Sequence, residues 1–130
     1  MPPSLGAFLL FLFGLVVAVL LIAASANLLT TVVLYTISSE GIMRLSLPLT
    51  LLFSGLLIPL PFFPEWFKPI VYFLPFRHIL DTPIQFYTGR VSLEQSGGIL
   101  LHAGVWILVL VMCGRILMHR ATKRLVAQGG

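Results

Sequence analysis

The chain has 130 residues, is 58% hydrophobic and only 9% charged, and carries a formal net charge of +4. Soluble domains carry about 25% charged residues, and a chain this short has too little polar material to hide so much apolar surface from water. That excludes a water-soluble enzyme and predicts an all-α integral membrane protein, in which lipid itself covers the apolar faces. A nucleic-acid partner would want a basic face on a soluble fold. Here Arg115, Arg120, Lys123 and Arg124 instead crowd the end of an apolar run. The single cysteine, Cys113, lies inside that run and reads as a small apolar packing residue.

The first apolar segment runs from about residue 6 to 37, with no formal charge before Glu40. A crossing needs about 20 residues and two crossings with a turn about 40, so one long or tilted helix is predicted. A signal peptide would need a basic leader and a shorter apolar run, and Met1-Pro2-Pro3-Ser4 has no basic side chain. Ala7, Gly14, Ala18 and Ser25 fall on one face and form a candidate helix-packing stripe, because small residues let helices approach closely in lipid. The competing reading is that such residues are simply common in membrane helices. Asn27 would be costly against lipid and is expected to face a neighbouring helix or a transport path.

A polar connection at Ser38–Gly41 precedes a second apolar segment over about residues 45–60, short for a full crossing and interrupted by Pro48, Gly55 and Pro59. Prolines at 59, 61, 64, 69, 75 and 83 then forbid one continuous helix. Pro64 and Pro75 each suit the first turn of a short helix, and Trp66, Tyr72 and Tyr87 favour the headgroup level. Residues 61–86 are therefore expected to form a broken hairpin of short helices, re-entrant or interfacial, before the last span. A polar, exposed stretch is expected over Gln85–Glu94. The third span runs over about residues 97–118, with the basic tail 119–130 after it. Basic residues flanking a span favour the cytoplasm, so Arg115, Arg120, Lys123 and Arg124 are expected to anchor a cytoplasmic C-terminus. Three crossings within a single membrane domain then leave the hairpin outside.

The sequence holds no GxxxxGK[ST] phosphate loop, no HExxH and no CxxC. His78 and Asp81 are three residues apart and, with Glu65, could be imagined as an acid–base or metal site, or as an interfacial ion pair. Neither a catalytic site, a metal nor a cofactor is expected. His102, inside the third span, is a candidate pathway residue or a hydrogen-bond partner of a neighbouring helix.

Four runs carry a family resemblance: Ser54-Gly55-Leu56-Leu57-Ile58-Pro59-Leu60, Phe63-Pro64-Glu65-Trp66, Leu74-Pro75-Phe76-Arg77 and Ile84-Gln85-Phe86-Tyr87-Thr88-Gly89-Arg90. With the tail from Gly114-Arg115 to Gly129-Gly130, they make nearly the whole chain resemble the C-terminal half of an ABC-2 family transporter permease. The resemblance implies the fourth, fifth and sixth spans of a six-span permease half, with the first three absent. It implies a bacterial plasma membrane location, a separate ABC ATP-binding subunit and a second permease half as partners, in a homo- or hetero-dimer. In that reading the hairpin bearing Pro61, Pro64, Glu65, Trp66, Pro75 and Arg77 is an external gate. The expected function is a permease component of an ATP-driven exporter. The alternatives are a structural or regulatory membrane fragment, or a membrane enzyme using His78, Asp81 and Glu65.

Overall fold

The computed structural model describes residues 3–35 and 39–129. Its helices, in chain order, are α1 (Leu5–Tyr35), α2 (Ser39–Phe53), α3 (Lys68–Phe73), α4 (Asp81–Tyr87) and α5 (Leu93–Gly129), with 3-10 turns at Leu60–Phe62 and Pro75–His78. Among the described residues there is no strand. Two helices are long and apolar enough to cross a membrane, over Leu5–Leu34 and Leu93–Lys123. Only 28% and 11% of their most apolar windows are buried against the rest of the protein. Side chains such as Leu9, Val16, Val19, Leu101, Val105 and Leu108 therefore stand outward, which is how a helix meets lipid and not how it sits in a soluble core.

Each long helix has a local start signal. Ser4 Oγ accepts from the Ala7 amide at 3.1 Å and caps α1. Ser92 and Gln95 make a reciprocal capping box: the Gln95 amide donates to Ser92 Oγ at 3.3 Å and the Ser92 amide to Gln95 Oε1 at 3.4 Å. That box starts α5 at Leu93, four residues before the apolar run alone suggests. In α2 the helix begins at Ser39, with an exposed Arg44–Glu40 pair at 3.3 Å, and contains Pro48. It stops at Phe53, well short of residue 60, because Gly55 takes a left-handed φ of +89° and the Leu56 and Leu57 amides fold back onto the Leu51 carbonyl. Fifteen residues rise about 22 Å, less than the roughly 30 Å of a hydrocarbon core.

α1 is the element on which the others assemble; α5, α4, the Pro75 turn and α2 all pack against it. Ala7, Gly14, Ala18, Leu21, Ala24 and Thr31 are buried along one face, and Ser25 is half-buried. Gly6 faces the Leu93 side chain, and Gly114 faces Leu28 and the Asn27 amide. Low numbers thus meet low numbers and high meet high, so α1 and α5 run parallel. Between them, α4 descends the same face in the opposite sense. Ile79, just before it, sits with Ile22, Ser25, Ala26 and Leu29, Phe86 and Pro83 lie against Gly14, the Tyr87 ring meets Phe11 at 5.1 Å, and Gly89 rests on Pro3. Phe86 is fully buried, so the stretch from Gln85 to Glu94 is not uniformly exposed. Its polar neighbours conceal the residue that wedges α4 onto α1.

A β-carbon at Gly14 would stand 3.1 Å from Phe86 Cδ2. Gly14→Leu must displace that ring and is expected to cost about 1–3 kcal/mol. Leu15→Ala, on an exposed position one step round the helix, should stay within about 0.5 kcal/mol. Thermal unfolding of the detergent-solubilised variants checks the difference, and equal losses would remove the close contact as its cause.

Candidate functional site

The hairpin between α2 and α5 is built by its prolines. Pro61, Pro69 and Pro75 stand in the first turns of the Leu60 turn, α3 and the Pro75 turn, where a missing amide hydrogen costs nothing. Pro64 starts a turn of its own, its carbonyl accepting from the Phe67 amide at 2.9 Å and the Lys68 amide at 3.0 Å. Leu74, which precedes Pro75, is extended (φ −65°, ψ 150°) and ends α3. Leu60, Phe63 and Val71 form the hairpin's own apolar core, with Leu52, Phe53, Phe67 and Tyr72 against it. At the outer edge Glu65 accepts from Lys68 Nζ at 2.5 Å, with the Glu65 side chain 88% exposed, and Trp66 is also exposed.

The Pro75 turn is the junction: it touches α1, α2, α3, α4 and α5. Three consecutive side chains leave it in different directions. The Phe76 ring stacks on Phe53 of α2 at 6.1 Å. The Arg77 guanidinium lies 5.3 Å over the Tyr72 ring. His78 is buried, 1% exposed, with Nδ1 3.0 Å from Thr82 Oγ1 and Nε2 2.8 Å from Nδ1 of His102 on α5. One turn further along α5, Trp106 Nε1 donates to the Phe73 carbonyl at 2.8 Å. His102 and Trp106 thus hold the inner limb of the hairpin at two adjacent points. Neutral imidazoles can satisfy the 2.8 Å contact with one ring donating and the other accepting; two imidazolium rings would face proton to proton.

Asp81 starts α4 one turn beyond Arg77, close enough for the two charges to act on each other. Its Oδ2 accepts from Gln85 Nε2 at 2.6 Å, and Arg90 adds a weaker attraction from the far end of α4. The carboxylate is therefore held along its own helix, and its influence on Arg77 is through space, with no ion pair between them among the described residues.

Of the residues singled out in the sequence, Pro61, Pro64, Glu65, Trp66, Pro75 and Arg77 all lie in the hairpin, but only Pro75 and Arg77 are at its junction. His102 reaches the junction and His78 meets it there. Glu65 is ion-paired with Lys68 at the outer edge, and no group of three or more metal-ligating side chains occurs among the described residues. Asn27 is exposed at the edge of the α1–α5 contact, away from the hairpin. Arg115, Arg120 and Lys123 are exposed towards the end of α5; the side chain of Arg124 lies outside the described residues. Cys113 is exposed, so it faces outward and is not a packing residue of the core. Sequence reasoning missed Thr82, Leu21 and Trp106. Leu21 continues the Gly14 face by one heptad, and Trp106 follows His102 by one helical turn, so both carried a positional signal.

Two long outward-facing apolar helices around a proline-broken polar junction define a membrane-embedded helical protein. A family model described as ABC-2 family transporter protein matches residues 4–129, nearly the whole chain, and the protein belongs to that family. No curated protein and no solved structure matches it. Membership makes the chain a membrane transport component, a permease component of an ABC transporter, and implies association with an ABC ATP-binding subunit.

The contact between the two histidines can be tested by removing its half-buried partner, His102. His102→Leu leaves the buried His78 Nε2 with no acceptor or donor and should cost about 1–3 kcal/mol at neutral pH. His102→Gln, which can still offer a polar atom at that height of α5, should recover part of the loss. Thermal unfolding in detergent reads both, and an unchanged midpoint for His102→Leu would exclude the contact as a fastening of the hairpin.

Proposed function

We propose that this chain forms the C-terminal, path-lining part of a permease half in an ATP-driven exporter of a bacterial plasma membrane, paired with a second half and driven by a separate ATP-binding subunit. The observation that carries the reading is the parallel course of α1 and α5. If both cross, the chain between them must return through the bilayer. α2 supplies about three quarters of that return, and residues 54–92 supply the rest, which makes three crossings with the middle one broken. The hairpin is then re-entrant: its base at Ile79 lies level with Ile22–Leu29 of α1, and its exit at Gly89 lies level with Pro3.

Orientation follows from charge. Arg115, Arg120 and Lys123 towards the end of α5, with Arg124 beyond them, favour the cytoplasm. The Glu40–Arg44 end of α2 then faces inward, and the hairpin reaches from the outer surface to about the middle of the bilayer. Under its base lies an open cavity of ≈ 190 Å³ lined by Ile22, Ser25, Ala26, Leu29, Ser46, Leu47, Thr50 and Ile79. In this reading the cavity belongs to the inward-open half of the path and the hairpin closes the outer half. Cargo passes when the Pro75 turn moves relative to α1, as the ATP-binding subunit pulls the two permease halves through alternating access. The stripe of Ala7, Gly14, Ala18 and Ser25 serves as the surface on which hairpin and α5 assemble.

A phosphatase reporter fused after Gly130 should be silent, and Glu65→Cys should react with an impermeant maleimide added outside intact cells. An active reporter, together with a Glu65→Cys variant protected from the reagent, would invert the topology. A tagged chain should also retain an ATP-hydrolysing subunit on purification from its native membrane. Its absence, with no effect of deletion on export, would leave a structural or regulatory fragment as the function.

A further inference from the structure

We infer that Arg77 is the anchor of a binding site for an anionic amphiphile, a molecule with a phosphate or carboxylate head and an apolar body. The inference rests on the membrane depth of the hairpin argued above and deepens it.

Arg77 stands in the Pro75 turn and is half-buried. Its Nε is buried and has no hydrogen-bond partner among the described residues. The ion pairs among those residues are Arg44–Glu40 and Lys68–Glu65, both nearer the chain's polar edges, and Arg77 forms none. The polar groups around it make no direct contact with it among the described residues. Asp81 acts on it through space only, without an ion pair, and its Oδ2 accepts from Gln85 at 2.6 Å. The facing nitrogens of His78 and His102 are taken up by each other and by Thr82. Tyr72 covers one face of the guanidinium, and a ring on the face leaves the N–H edge free. In a membrane protein a buried guanidinium nitrogen without an acceptor among the described residues is costly and marks a site whose partner comes from elsewhere.

The shape of that edge gives the partner's chemistry. A guanidinium edge presents parallel N–H groups that fit two oxygens of a phosphate or carboxylate. The turn that bears Arg77 packs on α3 and α5, where Phe73 and Ile70 are 63% and 49% exposed and Trp106 is beside Phe73 at 5.5 Å. These can take an acyl or aromatic body. A resident phospholipid and an exported amphiphile share that chemistry.

The test uses Trp106 emission in the Trp66→Phe background, with the protein in phosphatidylcholine nanodiscs doped with brominated phosphatidylglycerol or brominated phosphatidylcholine. The anionic lipid should reach half-quenching at about tenfold lower mole fraction, the gain expected of a charge-assisted hydrogen bond. Arg77→Gln should erase that preference, Arg77→Lys should keep part of it, and Arg90→Gln, which removes an exposed charge, should leave it intact. Equal quenching by both lipids in the unsubstituted Arg77 protein, or a preference lost equally in Arg90→Gln, overturns the site while leaving the hairpin's depth standing. No quenching by either lipid overturns the depth reading and the site with it. In the complex with its ATP-binding subunit, brominated oleate that displaces the phosphatidylglycerol signal and raises ATP hydrolysis identifies cargo; displacement without stimulation identifies a resident lipid. Either result supports the anchor.

Discussion

A helix that breaks inside a bilayer leaves carbonyls and amides without partners, and lipid supplies none. In the proposed topology the hairpin answers to that constraint. α3 must end at Phe73 because Leu74 precedes a proline and is extended, so the Phe73 carbonyl has no helical donor; Trp106 of α5 donates to it. The 3-10 turns at Leu60 and Pro75 close their own short hydrogen bonds, Phe63 to Leu60 and Ile79 to Phe76, and Thr88 caps the end of α4 through the Ile84 and Gln85 carbonyls. These backbone breaks of the hairpin are thus closed within it or by α5, while the buried Nε of Arg77 keeps no partner among the described residues.

The same dependence explains why polar side chains cluster where they do. His78 can be buried because Thr82 and His102 use both ring nitrogens, an arrangement that two neutral rings complete without any charge. Arg77, one residue earlier, points away from this arrangement and keeps its charge over Tyr72. Adjacent residues on one short turn thus do different things: one contacts α5 through His102, the other carries a charge that forms no ion pair among the described residues.

Much of the architecture was legible in the sequence, for identifiable reasons. The apolar runs located the two long helices because nothing in Leu5–Tyr35 interrupts a helix and lipid imposes no alternation. The prolines located the breaks because their geometry is local. Apolar content alone carries α2 on to residue 60 through Leu56, Leu57 and Ile58, while the left-handed turn at Gly55 that ends it is a backbone choice that hydropathy does not register. The His78–His102 contact spans 24 residues and depends on α1 and α5 running parallel, which no local pattern encodes. Phe86 was hidden for a related reason: its burial comes from the space Gly14 leaves on another helix. Family membership was legible from the proline and glycine runs; the isolation of Arg77 required knowing where every neighbouring polar atom points.

The shortness of α2 has a consequence for how the protein is made. Fifteen residues with an internal proline hold too little apolar length to partition into a membrane unaided. As the chain emerges, α1 is already stable in lipid, whereas α2 and the hairpin are not, and the groups that complete the hairpin, His102 and Trp106, come after it in the chain. Insertion therefore passes through a stage in which the Phe73 carbonyl and the His78 ring lack the partners that α5 brings. In the proposed topology, integration of α5 is the step that commits the residues between α1 and α5 to the bilayer, so their biogenesis hinges on α5.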